Sequence, residues 1–384
     1  MNKLHRLTSV PLSFETLLKG QPRFMQQYYD VTIISSNKEQ LEKIGIAEGV
    51  KTYPVELTRQ ITLLKDLKAL WKLYLYFRKE KPDIVHTHTP KAGLIGMLAA
   101  YLAKVPQRLH TVAGLPLMEI TGLKRQVLIF TEKLTYKCAQ HVYPNSEGLY
   151  EFIIKNKFCP PCKLKIIGNG SSNGIDTAHF TPLFYSSKQK EEFKKKVNIP
   201  PNAFVFCFIG RLVKDKGINE LVQAFIKINK KFLYTKLLLV GPLERELDPL
   251  SPKTEKEIQN HPGILFVGSQ KDVRPYLAIS DIFVFPSYRE GFPNVVMQAE
   301  SMEVPCIVTN INGCNEIIED GVNGLIIPPK NKDQLQTKMR LLLENSDLRN
   351  RLKQNTRCMI TSRYEQKWVW DALLEEYRSL EVEN

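Results

Sequence analysis

Three side chains in the carboxyl-terminal half, Arg211, Lys216 and Glu290, have the types and spacing to hold a diphosphate that carries a sugar. Arginine offers a planar fork of donors and lysine a compact point charge, a pairing that suits two adjacent phosphates. A glutamate beside them can accept hydrogen bonds from sugar hydroxyls. The competing reading of the two cations is the usual fate of Lys and Arg, a solvated surface. For Glu290 it is helix capping or an ion pair with Arg289.

The elements that must position these residues are legible nearby. Residues 203–209 form a short apolar run rich in Val, Ile and Phe, the pattern of a strand buried on both faces of a parallel sheet. Gly210 ends it, and Ile218, Leu221, Val222, Phe225 and Ile228 then recur at helical spacing. The loop 211–217 thus joins a strand's carboxyl end to a helix's amino end, where ligands bind in open α/β sheets and where unpaired N–H groups face an anion. The pattern repeats further on. Residues 281–286 read as a strand, and 294–303 as a helix with Val295, Val296, Ala299 and Met302 along one stripe. In the turn between them, Gly291 lets the backbone approach a ligand and Pro293 suits a helix start.

Gly210-Arg-Leu with Lys216-Gly217, Glu290-Gly-Phe-Pro-Asn-Val-Val, and the stretch from Asn315 to Pro329 resemble the carboxyl-terminal half of retaining glycosyltransferases of family 4. The amino-terminal half is similar as well: Leu18-Lys-Gly-Gln21, His86-Thr-His-Thr-Pro-Lys-Ala-Gly93 and the stretch from Gly168 to Asp176 resemble the members that build capsular and O-antigen polysaccharides. The resemblance implies an α/β GT-B fold of two Rossmann-like, doubly wound parallel-sheet domains facing a central cleft. Residues 1–180 would bind the acceptor and 181–363 the donor, with a closing helix, 364–384, returning to the first domain. It assigns Arg211 and Lys216 to the donor diphosphate, Glu290 to the donor sugar, and the backbone of Gly291, Phe292 and Asn294 to holding that sugar. Gly210, Val295 and Gln298 complete the implied donor site. Lys91 and His88 become acceptor-side candidates, for which a capped strand end and a solvated lysine remain the alternative.

Three departures from the family pattern stand out. Gln298 occupies the place of a second glutamate, with Glu300 two residues beyond; an amide can still bond a ribose hydroxyl. Ala113 stands where many members carry histidine, and His110 is expected to lie within a strand rather than replace it. The first loop reads Thr8-Ser-Val-Pro-Leu-Ser-Phe14 where adjacent glycines are usual.

A chain of 384 residues, 43% hydrophobic and 24% charged, is an ordinary globular mixture too long for one core. No apolar run reaches the length of a membrane span, and no signal peptide is evident, so a cytoplasmic protein, at most peripheral on the membrane, is expected. Charge is uneven. Residues 1–190 carry 27 Lys and Arg against 14 Asp and Glu, and the rest 27 against 26, so nearly all of the net +14 lies in the first half. By resemblance that half takes a lipid-linked or oligosaccharide acceptor at an anionic membrane surface.

Residues 61–79 form a helical pattern with Leu64, Leu67, Trp71, Tyr74 and Leu75 on one side and Lys65, Lys68, Lys72 and Lys79 largely on another. A basic amphipathic helix can lie on a membrane; packing of the apolar side on the sheet is the reading we favour from sequence. No nucleic-acid recognition motif accompanies the basic charge. No Asp-x-Asp pair is present, so no metal or other cofactor is expected and the two cations carry the diphosphate charge. Cys159-Pro-Pro-Cys162 lacks a second pair to complete a zinc site, and the seven cysteines are expected to be reduced thiols.

Strands are expected at 31–35, 83–88, 107–112 and 141–145, and helices near 61–80, 91–104, 123–138 and 147–155. His86 and His88 are expected to divide between cleft and core. Gly168 to Gly174 imitates a dinucleotide fingerprint, but no helix opens at its end, and it reads as a linker. Two other functions remain on the page: a sugar-nucleotide epimerase of the same fold, and a nucleotide-sugar-binding scaffold without activity.

Overall fold

The computed structural model describes residues 1–58, 62–115, 117, 120–246 and 248–382. They form two compact units: Met1–Gly174 together with Gln366–Asn384, and Ile175–Glu365. The first boundary thus falls just after the Gly168–Gly174 stretch, in which no helix opens, rather than at residue 180.

Unit 1 is built on six parallel strands, β1 (Lys3–Leu7), β2 (Asp30–Ser35), β3 (Lys51–Pro54), β4 (Ile84–His88), β5 (Gln107–Val112) and β6 (His141–Pro144), in the order β3-β2-β1-β4-β5-β6. β1 was not among the expected strands, because Lys3, His5 and Arg6 interrupt its apolar pattern. It nevertheless lies at the centre, in register with β2 on one side and β4 on the other. The short β3 was also unexpected; it pairs only with β2, at the edge of the sheet.

The Leu63–Glu80, Pro90–Leu102 and Gly122–Cys138 helices contribute Leu73, Phe77, Ala92, Met97 and Tyr136 to one apolar cluster with Leu7, Val85 and Val112 of the strands. A second cluster joins Leu4, Ile84 and Tyr143 to Leu373, Leu374 and Tyr377 of the closing helix, Gln366–Val382. Successive strand residues point to opposite faces, so β1, β2, β4, β5 and β6 each serve both clusters. The expected start of the first of these helices, Ile61, lies outside the described residues. Its orientation corrects the sequence reading: Ala69, Leu73 and Phe77 face the core, while Leu64, Leu67, Trp71 and Leu75 are exposed. The helix carries two apolar stripes, and the sheet takes the one centred on Leu73.

Unit 2 repeats the architecture with β7 (Phe204–Ile209), β8 (Thr235–Val240), β9 (Ile264–Phe266), β10 (Ile282–Phe285), β11 (Cys306–Thr309) and β12 (Gly324–Ile327), ordered β12-β11-β10-β7-β8-β9. All six residues of β7 are buried. The Ile218–Asn229 helix turns Leu221, Val222, Phe225 and Ile228 onto the sheet, and full burial of a side chain such as Phe225 contributes about 1.5 to 3 kcal/mol. Each sheet reverses its winding once, between β1 and β4 in unit 1 and between β7 and β10 in unit 2. Such switch points open a crevice at the strands' carboxyl ends. No helix among the described residues is long and apolar enough to cross a membrane.

Candidate active site

At the unit 2 switch point the loops after β7 and β10 meet. Gly210 and Gly241, at the ends of β7 and β8, approach so closely that a Cβ on Gly241 would fall 1.9 Å from the Gly210 carbonyl oxygen. The loop after β8 then supports the cationic loop: the Leu212 N–H donates to the Pro242 carbonyl at 2.8 Å, and the Asp215 N–H donates to the Asp248 carboxylate at 2.6 Å. A 3-10 turn, Lys214–Lys216, leads into Gly217, whose φ of +69° starts the Ile218–Asn229 helix. A Cβ there would lie 2.1 Å from the Pro286 carbonyl oxygen, so only glycine lets the two loops touch.

The second loop is held by the first. The Tyr288 N–H donates to the Asp215 carbonyl at 2.8 Å, and Arg289 pairs with the Asp215 carboxylate at 2.9 Å. At the end of β11, Thr309 donates to the Ser287 carbonyl, and from the loop that follows the Asn312 amide donates to the Glu290 carbonyl. The backbone that carries Glu290 is therefore fixed from two sides.

Each candidate cation holds a carboxylate. Arg211 Nη1 lies 2.8 Å from Glu244 Oε2, and Lys216 pairs with Glu290, both side chains of the latter pair being 15% exposed. Glu290 does not pair with Arg289, as one sequence alternative had it. Lys216, Arg211 and Glu290 thus converge on the loop pair, with Glu244 as a fourth charged group. A phosphate can replace either carboxylate, since its oxygens accept from the same cationic donors, the fork of Arg211 and the ammonium of Lys216.

The remaining donor-side residues fall nearby in the chain but differ in role. The Phe292 ring is buried edge-on against Tyr364, centroids 5.2 Å apart, leaving only its backbone for a ligand. Asn294, Val295 and Gln298 are half-buried on the Asn294–Ser301 helix. Glu300 is fully buried and accepts from Asn323 at 2.9 Å; burial raises its carboxyl well above the ordinary range. It belongs to the core.

In unit 1, the loops after β1 and β4 meet in the same way. Ser9 and Thr89 share a hydroxyl hydrogen bond of 2.8 Å, and the Ala92 N–H donates to Ser9 Oγ at 3.2 Å. Thr89 has a φ of +98°, a costly conformation for a β-branched residue and one that concentrates at functional sites. Lys91 is pinned between Asp66 Oδ1 at 2.7 Å and Thr58 Oγ1 at 3.1 Å.

His86 and His88 do not divide between two surroundings. Residues i and i+2 of a strand share a face, and the two ring centroids lie 4.2 Å apart, the rings tilted by 31° and both buried. Arg6 Nη2 donates to His88 Nε2 at 2.9 Å, and His86 bonds the Tyr377 and Thr111 hydroxyls. Burial, with Arg6 nearby, holds both imidazoles well below their ordinary pKa and hence neutral. His88 lines a cavity of about 20 Å³ with Gln21, Asn145 and Ser172. His110 lies within β5, bonded to Thr87. Ala113 is half-buried just past that strand.

Sequence reasoning missed Glu244, Asp215, Asn312, Ser9 and Thr89. All stand in loops at the carboxyl ends of strands, and only the strand order brings them together.

Comparisons with known proteins bear on the family and the fold. Residues 15–146 match the family model described as glycosyl transferase 4-like, and residues 189–359 the one described as glycosyl transferases group 1. The capsular polysaccharide biosynthesis glycosyltransferase CapM of Staphylococcus aureus is 34% identical over 378 residues, 98% of this chain and 97% of its own. The UDP-Gal:alpha-D-GlcNAc-diphosphoundecaprenol alpha-1,3-galactosyltransferase of Escherichia coli is 32% identical, covering 78% of this chain and 76% of its own. Among solved structures, Anabaena HepE in complex with UDP and glucose superposes with a TM-score of 0.83 at 17% identity, over 99% of this chain and 100% of that one; this likeness establishes the GT-B fold.

Proposed function

The chain belongs to the group 1, family 4-like glycosyltransferases, and from that premise we propose that it moves a sugar from a UDP-sugar to a hydroxyl of a polyprenyl-diphosphate-linked glycan, retaining the anomeric configuration and without a metal. The observation that carries the reading is the convergence of Arg211, Lys216 and Glu290 at the unit 2 switch point. Relatives whose names specify capsular synthesis and a diphosphoundecaprenol-linked acceptor support the acceptor class.

In this mechanism the donor diphosphate takes the place of Glu244 on Arg211 and of Glu290 on Lys216. The two cations then face the oxygens on which negative charge grows as the sugar leaves, the largest single source of stabilisation for such a step. Glu290, released from Lys216, accepts hydrogen bonds from the donor sugar. The bond from the anomeric carbon to the diphosphate breaks, the acceptor oxygen bonds that carbon on the same face, and the departing diphosphate oxygen takes the acceptor's proton. No protein nucleophile is needed.

Calorimetric titration with UDP-, GDP- and dTDP-sugars tests the donor half. We expect one UDP-sugar to bind selectively, and Arg211→Ala or Lys216→Ala to lower turnover by about tenfold to about a thousandfold, the scale for removing one preorganised contact. Full activity in both variants refutes the assignment. An inverted product, or loss of activity in EDTA, refutes the finer claims separately, and epimerisation of the donor alone replaces the transferase reading.

A further inference from the structure

We infer that Asp215 is a positioning residue for the transfer step: it ties the loop that carries Lys216 to the loop that carries Glu290, and so sets where the donor sugar sits relative to its own diphosphate. Such a tie deepens the donor half of the proposed function and rests on it, since there one ligand is gripped at two points by two separate loops.

Three different groups of Asp215 are engaged. Its N–H donates to the Asp248 carboxylate at 2.6 Å, anchoring it to the loop after β8. Its carbonyl accepts from the Tyr288 N–H at 2.8 Å, with the buried Ser287 hydroxyl at 3.4 Å. Its carboxylate Oδ2 accepts from Arg289 Nη2 at 2.9 Å. Lys216 is the next residue after Asp215, and Glu290 the next after Arg289. The contact therefore spans the two loops directly beside the two positions that hold the ligand.

Stability alone does not account for the pair. Arg289 is 38% exposed and engages one carboxylate oxygen, an arrangement that adds little to folding. The other oxygen, Asp215 Oδ1, is buried with no hydrogen-bond partner among the described residues, which is unfavourable. An asparagine of the same shape would keep the backbone contacts and avoid burying the charge; what it would weaken is the hold on Arg289. That hold matters most with donor bound. When the diphosphate replaces Glu290 on Lys216, the direct pair between the loops opens, and the Asp215–Arg289 pair keeps them together while the sugar is transferred.

The variants Asp215→Asn, Arg289→Gln and the two combined test this, with Arg289→Lys as the conservative change. Each of the first three should lower kcat about tenfold to about a hundredfold, the scale for misplacing a reacting group by about 1 Å. The donor KM and the Kd of UDP alone should change less than about threefold, because the diphosphate contacts remain. The double variant should be no slower than the slower single one, since both changes remove one contact. Arg289→Lys should keep at least about threefold more activity than Arg289→Gln, because the pair uses a single donor. Saturation-transfer NMR with the UDP-sugar selected by titration reads the geometry apart from turnover: in Asp215→Asn the sugar protons should lose saturation relative to the uracil protons. Unchanged kcat in both single variants overturns the inference, as do losses that multiply in the double variant. So does a fall in UDP affinity or in the urea midpoint that keeps step with kcat, which would make Asp215 a support for the diphosphate loop alone. If the wild-type chain binds no nucleotide sugar, the transferase reading falls and takes this inference with it, whereas normal binding with indifferent variants removes this inference alone.

Discussion

Lowering the pH from about 7.5 to about 5.5 should remove about 3 to 4 kcal/mol from the stability of unit 1, by linkage to groups buried in it. His5, His86, His88 and His110 are all at most 3% exposed. Burial pushes His5 and His110 down to about 4, with Lys3 adding to the effect at His5. It holds His86 and His88 well below the ordinary value too, helped at His86 by Arg6 and His110 and at His88 by His86, Arg6 and His110. Folded, these rings stay neutral; unfolded, each takes up a proton near pH 6.5. Their stabilisation is therefore complete above that value and drains away below it, by about 5 kcal/mol over this interval for the four rings together. Glu132 opposes them. Burial raises its carboxyl to about 7, so the folded state takes up a proton before the unfolded one does, returning about 2 kcal/mol as the pH falls. Urea unfolding can follow this, because Trp71, Trp368 and Trp370 are the chain's only tryptophans and all belong to unit 1. With a urea dependence of about 2 kcal/mol per molar, the fluorescence midpoint should drop by about 1.5 to 2 M. Glu132→Gln should widen the loss by about 2 kcal/mol. A midpoint that shifts by less than about 0.5 M, or rises, refutes the reasoning.

Gly217→Ala should lower kcat/KM for the donor about tenfold or more, since its Cβ would meet the Pro286 carbonyl and part the two loops; steady-state kinetics with unchanged values would reject the contact. Glu244→Gln removes the carboxylate that the donor must replace on a half-exposed Arg211, so titration should show donor affinity rising by up to about fivefold, more at low salt than at high; weaker binding would mean that Glu244 supports the site. Asn312→Ala frees the Glu290 carbonyl and should reduce turnover about tenfold while stability falls by only about 1 kcal/mol, the worth of one hydrogen bond; equal turnover would place the control of Glu290 elsewhere.

The loop pair of unit 2 could be read from sequence because β7 and β10 are nearly unbroken apolar runs, and a parallel strand followed by a helix leaves its ligand loop in a known place. β1 could not. Its burial of His5 and Arg6 is a tertiary outcome of the strands on either side, in which Arg6 keeps a hydrogen bond to His88 and His5 stacks on Tyr76. The partners of the cations were equally hidden, since Glu244 reaches Arg211 from the β8 loop and Asn312 reaches Glu290 from the β11 loop. The Leu63–Glu80 helix shows a different limit. Its sequence holds two apolar stripes, and periodicity alone cannot say which one meets the sheet; the stripe with Trp71 and three leucines is the one left outside.

These placements give the uneven charge a physical division of labour. The carboxyl-terminal residues are nearly balanced, 27 cations against 26 anions, and at the donor loops the balance is local: Arg211 and Lys216 each already hold a carboxylate. On the proposed assignment a nucleotide diphosphate would gain little from bulk attraction and bind by exchange, liberating Glu290 only when a phosphate arrives to replace it on Lys216. Selectivity then falls to groups fixed by backbone contacts rather than to net charge. The amino-terminal excess is arranged the opposite way. Its lysines on the outer helices face solvent beside exposed leucines, with their nearest acidic neighbours already taken. Charge left unpaired at a surface acts at a distance and is weakened by salt, which suits an extended anionic partner better than a single small ligand. Salt should accordingly affect the two halves unequally: raising ionic strength should disturb transfer to a vesicle-borne acceptor well before it disturbs donor binding, and equal sensitivity in both assays would refute that division.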